Sequence, residues 1–218
     1  MLSLSQIRMG RNDRAVLIGQ TGTGKSTLAE FLLHDPDKRN SVAFDPKASE
    51  TLEKWTGMTR CGSLDDCIYE AEEKEKRRII FTPDAYSAES STVQDRLFAW
   101  IYERGRTRLY IDEATALAGG ATPSRYLIAC LNRGRERGVS TLTATQRPAR
   151  IPLNILSEAQ HYYVFKVLML TDQKRIEELT GIPIEEQATL KRFEYFYWSD
   201  LTGAYPRKLI LQLGEHHA

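Results

Sequence analysis

Cysteine is scarce in this chain, and the little there is forms no pattern. Cys61, Cys67 and Cys130 have no metal-ligand spacing, and three thiols give no disulfide framework, which fits a reducing compartment. A zinc half-site at Cys61 and Cys67 has no partners near it, because His34 and His161 are far off in sequence. Long apolar runs are missing: none approaches the ~20 residues that a membrane span needs. Met1 to Asn12 is polar and lacks the apolar stretch of a secretory signal. A soluble, cytoplasmic protein is expected. An excess of one charge is also missing: 30 basic and 29 acidic side chains leave a net charge of +1, so bulk charge names no partner. There are no repeats, low-complexity tracts or Pro/Gly/Ser-rich linkers. One α/β domain over residues 1–218 is therefore expected, with a core at about 14–170 and an extension at about 171–213. His216 and His217 read as a tail without a role.

What is present is unevenly distributed. Arg96 to Arg150 holds ten arginines, no lysine and four acids, a concentration of fork-shaped guanidinium groups suited to phosphate or simply to a solvated surface. Apolar runs at 14–19, 41–45, 78–82, 108–112 and 140–146 are continuous rather than alternating, as in strands covered on both faces of a parallel sheet. Helical patterns at 25–34, 49–55, 64–77 and 89–104 lie between them. Another follows Thr122-Pro123, which reads as an N-cap and first-turn proline, and runs toward Gly134 or Gly138. The rest predicts a strand at 162–167, helices at 172–180 and 184–192, and strands at 193–198 and 208–213 that extend the sheet antiparallel. Alternating β and α elements with short connections predict a three-layer α/β fold.

The first strand runs into Gly19-Gln20-Thr21-Gly22-Thr23-Gly24-Lys25-Ser26, which meets every fixed position of the phosphate-cradling G-x-x-x-x-G-K-[ST] loop. Glycines let backbone N–H groups curl round phosphate, and the helix that follows offers unsatisfied N–H groups and a positive dipole end. Lys25 is expected at the β- and γ-phosphates of ATP and Ser26 at Mg²⁺. The strand RLYID ends in Asp112 and is followed by Glu113. Asp112 would support Mg²⁺ opposite Ser26, while Glu113 would orient and deprotonate an attacking water. With no evident acceptor hydroxyl or lid, hydrolysis is favoured over phosphate transfer. The fifth strand ends at Gln146, an amide able to sense γ-phosphate or position that water. Arg133, Arg135 and Arg137, in NRGRERGVS, cannot all be core residues. They read as an edge offered to a neighbour, whose site one guanidinium would enter in a head-to-tail ring.

These residues resemble the HerA/FtsK superfamily of DNA-pumping ATPases. The strongest match is GRERGVSTLTATQRP (134–148), with SVAFDPK (41–47) similar to that family's second-strand D-x-K element and LTDQKRIEELTG similar in layout to its C-terminal part. The resemblance implies a RecA-like P-loop (ASCE) core with a mostly parallel sheet, nucleotide binding by Gly19 to Thr27, and ring assembly, hexameric or pentameric, on double-stranded DNA. It puts Arg135 first as arginine finger, with Arg133 and Arg137 close behind. A chain of this length looks like the genome-packaging ATPases of viruses, which implies a virion vertex or portal partner and a place in the host cytoplasm or at the procapsid.

Two stretches carry less. The loop ALAGGATPSRY (116–126) places Gly119, Gly120 and Arg125 where a segment tied to the catalytic strand could push on DNA phosphates, or it is a plain surface loop. The aromatics of FEYFYW (193–198) read as core packing before they read as a base-stacking platform. A cellular DNA pump, an ATPase acting on protein in assembly or secretion, and a small-molecule kinase are the competing readings.

Overall fold

The computed structural model describes residues 9–33, 40–117, 123–201, 203 and 205–211. Among these, nine strands form one sheet: β1 (Arg14–Ile18), β2 (Asn40–Phe44), β3 (Thr59–Cys61), β4 (Arg78–Phe81), β5 (Thr107–Ile111), β6 (Ser140–Thr145), β7 (His161–Val164), β8 (Glu194–Ser199) and β9 (Arg207–Ile210). Their order across the sheet is β3-β4-β2-β5-β6-β1-β7-β8-β9. The first seven are mutually parallel, and β8 is antiparallel to both β7 and β9. This is the mixed, mostly parallel P-loop fold, with its antiparallel strands at the C-terminal side.

Continuous apolar strands are buried on both faces because helices cover both. Ala15 and Leu17 of β1 pack with Leu28 and Leu32 of α1 (Lys25–Leu33). Val16 and Ile18 face the other way, onto Leu97 and Ile101 of α5 (Ser91–Arg104) and Leu127 and Leu131 of α6 (Arg125–Arg137). Each buried Val, Leu or Ile among them stabilises the fold by roughly 1.5–3 kcal/mol relative to exposure. The other helices are α2 (Glu50–Glu53), α3 (Leu64–Glu72), α4 (Ala85–Glu89), α7 (Leu153–Ser157), α8 (Leu170–Thr180) and α9 (Ile184–Ala188). No helix among the described residues is long and apolar enough to cross a membrane.

Several boundaries differ from expectation, for local reasons. The helix expected over 89–104 starts at Ser91, because Ser90 turns extended (ψ 117°) and its hydroxyl accepts from Val93 N to start α5; the short α4 before it was not expected. The helix expected to reach residue 77 stops at Glu72, and Glu75 enters the left-handed region (φ 53°) as the chain turns into β4. The cap of α6 is Ser124, whose hydroxyl accepts from Tyr126 N and Leu127 N; Thr122, the expected cap, lies outside the described residues. Gly138 ends that helix in a left-handed turn, leaving Gly134 inside it. β3 was not expected, since three residues carry no periodicity. In β8, Tyr195, Phe196 and Tyr197 are buried, with Tyr195 against Tyr163 and Phe165, so these aromatics are core.

Parallel strands all end at one edge of the sheet. The loops after β1, β5 and β6, adjacent or nearly so in the sheet order, meet there.

Candidate active site

The glycine loop is pinned between its neighbours. Gly19 N donates to Thr145 O of β6 (3.1 Å) and Gln20 N to Lys166 O just past β7 (3.0 Å). Thr23 Oγ1 closes the turn on Gln20 O (2.8 Å), leaving Thr21 and Gly22 at the exposed tip. Gly22 has φ 78° with open space around it, so glycine serves its backbone conformation. Gly24 has φ 115°, and a Cβ there would stand 2.8 Å from the Phe193 ring. Lys25 opens α1 and turns its ammonium back to Gln20 O (2.9 Å). It is buried, and burial pulls its pKa down to about 8 against the opposing pull of Glu113 and Asp112. An arriving polyphosphate favours the charged form and would pull this pKa back up.

Beside it, β5 delivers two carboxylates in different surroundings. Burial raises the Asp112 carboxyl above the usual range, while the Tyr110 phenol donates to its Oδ1 (2.6 Å) and Lys25 offsets part of the shift. The same phenol is hydrogen-bonded to Ser26, so one buried ring ties together the two side chains expected at Mg²⁺. A hydroxyl and a carboxylate are hard oxygen donors, and two such ligands completed by phosphate and water suit Mg²⁺. Among the described residues no group of three or more His, Cys, Asp or Glu could hold a metal alone. Asp45, fully buried at the end of β2, is pushed up to about 6 by burial and by Asp112.

Glu113 is held by three side chains. Its Oε1 accepts from Thr115 Oγ1 (2.9 Å) and Thr145 Oγ1 (3.2 Å), and its Oε2 pairs with Lys47 Nζ (3.5 Å). Gln146 follows at the tip of β6, half-buried. Behind it, Arg147 Nε donates to Asp172 Oδ2 (2.7 Å) and Ala149 N to Asp172 Oδ1 (3.0 Å), anchoring the post-strand turn to α8. Gly22, Lys25, Ser26, Asp112, Glu113 and Gln146 line one open cleft of about 500 Å³, and Thr27 lies on its wall.

Sequence reasoning gave no role to Tyr110, Lys47, Thr145, Asp172 or Phe193. Lys47 stands in the D-P-K stretch and Tyr110 inside RLYID. Lys47 with Glu113 and Tyr110 with Ser26 join separate elements, so the sequence alone does not pair them.

The arginines lie elsewhere. Arg133, Arg135 and Arg137 occupy the exposed last turns of α6, which leads into the start of β6 rather than its end. The six residues of β6 rise about 3.3 Å each, so roughly 17 Å of strand separates them from the cleft of their own chain. Arg137 packs over the Tyr102 ring at 4.7 Å, and Arg135 borders a polar hollow with Arg14, Asn132 and Glu158. Arg125 begins α6 on the nucleotide edge and is exposed, whereas Gly119 and Gly120 lie outside the described residues.

This chain resembles solved ATPases over nearly its whole length. The genome packaging NTPase B204 from Sulfolobus turreted icosahedral virus 2, in complex with ATP-gammaS, aligns with TM-score 0.75 at 19% identity, covering 94% of this chain and 100% of that one. VirB4 of Thermoanaerobacter pseudethanolicus aligns with TM-score 0.68 at 14% identity, covering 96% and 92%. The cytoplasmic domain of the Type VII secretion ATPase EccC from Thermomonospora curvata gives 0.63 at 14%, covering 97% of this chain and 28% of that one. At these identities the likeness is one of fold. Comparison with curated proteins yields no sequence match. The model of the ATPase family associated with various cellular activities (AAA) matches residues 15–167, which takes in the glycine loop, Asp112, Glu113 and Gln146. With the P-loop cradle, the paired carboxylates and that match together, the chain belongs to the AAA family of ATPases.

Proposed function

We propose that this chain hydrolyses ATP to move double-stranded DNA, as a ring-forming genome-packaging motor of a virus, working as one ATPase unit in the host cytoplasm or at a virion vertex or portal. One observation carries the reading. Lys25, Ser26, Asp112, Glu113 and Gln146, which suit binding and cleavage of a triphosphate, line one cleft at one edge of the sheet, while the three arginines stand exposed at the other. A guanidinium for the transition state is thus supplied by the next copy in a head-to-tail ring.

In the cleft, the loop amides and Lys25 hold the β- and γ-phosphates. Ser26 and Asp112 would hold Mg²⁺, which neutralises phosphate charge when bound. Glu113 takes a proton from water as its oxygen bonds to the γ-phosphorus and the bond to the β,γ-bridging oxygen breaks, releasing ADP. Lys47, Thr115 and Thr145 aim that carboxylate, and Gln146 orients the water. Arg125, at the head of the helix that follows the catalytic strand, meets DNA phosphates without reading sequence. Similarity of fold to a packaging NTPase supports this reading. The similar coverage of this chain by a secretion ATPase supports a second one, work on protein instead.

The test is the ATPase rate with and without linear duplex DNA at two salt concentrations. The DNA reading expects stimulation that weakens as salt rises, because counterions compete for phosphate contacts. A rate indifferent to DNA at both salts removes it and favours the protein-acting reading.

A further inference from the structure

We infer that Arg192 and Phe193 form the nucleobase platform of this site, a role that rests on the proposed nucleotide binding in the cleft. The sheet order supplies the direction. Glu113 and Gln146 follow β5 and β6, on one flank of β1 and its glycine loop, and Lys47 follows β2 on that same flank. These groups serve the γ-phosphate, so the nucleoside end of the ligand lies toward the other flank. There β8, being antiparallel, begins at the very edge where the parallel strands end. Phe193 is the residue before it.

Phe193 is built against the phosphate loop. Its N–H donates to Thr23 O (3.0 Å), its carbonyl accepts from Leu211 N (2.9 Å), and its ring closes over Gly24. Its backbone sits at φ 66°, a left-handed conformation sparsely populated by aromatic residues, and is held there by those two hydrogen bonds. Arg192 is exposed, with its guanidinium 4.6 Å from the centre of the Phe193 ring, and both side chains line the cleft that holds Lys25. A planar cation carried on an aromatic ring is a surface on which a base stacks with little regard to its edge. Trp55 also borders the cleft, but it is buried against Tyr110 (5.4 Å) and belongs to the β2 and β5 flank. The chemical class assigned to this platform is the π face of a nucleotide base, purines above pyrimidines because they offer more area.

Separating base from phosphate tests it. Binding of Mg²⁺–ATP and of Mg²⁺–tripolyphosphate is measured by calorimetry on the wild type, Arg192→Ala, Phe193→Leu, Trp55→Phe and Lys25→Ala. Phe193→Leu keeps apolar cover over Gly24, and Arg192→Ala changes an exposed side chain, so the fold is preserved. The platform predicts that Arg192→Ala and Phe193→Leu each weaken ATP by about tenfold, on the scale of one stacked base, while tripolyphosphate changes less than about twofold. Equal losses for both ligands would mean that these residues merely support the loop, and the inference falls. It falls as well if ATP is unaffected, or if the ATP-selective loss appears in Trp55→Phe instead. Lys25→Ala should weaken both ligands; a Lys25→Ala protein that binds both as the wild type does overturns the nucleotide-site reading, and this inference with it.

Discussion

The two ends of one parallel sheet carry opposite kinds of charge chemistry. At the ends of β1, β5 and β6, Lys25, Asp112 and Glu113 are buried or nearly so, and each is held by named partners before any ligand arrives. At the start of β6, Arg133, Arg135 and Arg137 are exposed, and Arg137 alone among them packs over a ring. Buried ionic groups cost desolvation, and the cost shows as the depressed Lys25 and the raised Asp112. In return they need no rearrangement during reaction. Exposed arginines avoid that cost but are worth little until another surface excludes water around them. An edge prepared in advance and an edge awaiting a surface are the two halves that the proposed ring would join.

That contrast can be broken outright. Replacing Arg133, Arg135 and Arg137 together by alanine should leave ATP affinity within about twofold and lower turnover by about a thousandfold, the low end for a trans-acting guanidinium. Mixing this variant with Lys25→Ala should restore part of the rate, because some interfaces then join an intact cradle to an intact arginine edge. Steady-state ATPase on the mixture reads this, and unchanged turnover in the triple variant removes the comparison.

A smaller effect sharpens the prepared side. Asp172 is buried and receives both the Arg147 guanidinium and Ala149 N, so it holds the turn that follows Gln146. Asp172→Asn keeps the shape but loses the charge-assisted bond. It should destabilise the protein by about 2 kcal/mol in denaturant unfolding. Turnover should fall with it while ATP affinity holds. Asp172→Asn with wild-type stability would mean that the turn is supported elsewhere.

The smallest effect is one of pH. Free Lys25 titrates at about 8. Phosphates favour its charged form, so its pKa rises in the complex. Below pH 8 the lysine is charged both before and after binding, and affinity is flat. Above it, binding must take up a proton, and ATP affinity should fall by up to about tenfold per pH unit. Titration calorimetry in two buffers of different ionisation enthalpy would reveal the proton. Absence of uptake at pH 9 would place the free lysine nearer its ordinary value.

How much of this was legible beforehand follows from the range of each signal. The glycine loop, Asp112-Glu113 and Gln146 are short segments at strand ends, and a strand followed by a turn announces itself locally. Most of the support around Glu113 was not legible: Thr115 is two residues away, but Lys47 follows β2 and Thr145 closes β6, and only the sheet order brings those two to it. Tyr110 looked like one more apolar residue of RLYID until its hydroxyl was seen between Ser26 and Asp112. In the sequence Phe193 reads as one of the core aromatics of its strand, and the structure separates it from them by one residue and a left-handed turn. Periodicity places α5 to within two residues, but its first residue is set by Ser90, whose hydroxyl takes a backbone N–H of the new first turn.

Sequence by itself determined the class of fold and the chemistry of the cradle, because continuous apolar runs demand cover on both faces and a glycine loop between strand and helix encodes its own backbone path. Tertiary structure alone decided which strands stand beside the cradle. It placed Tyr110, Lys47, Thr145 and Phe193 around the cleft and the three arginines at the far edge, because strand order and register are collective properties of the packed sheet that no single segment carries.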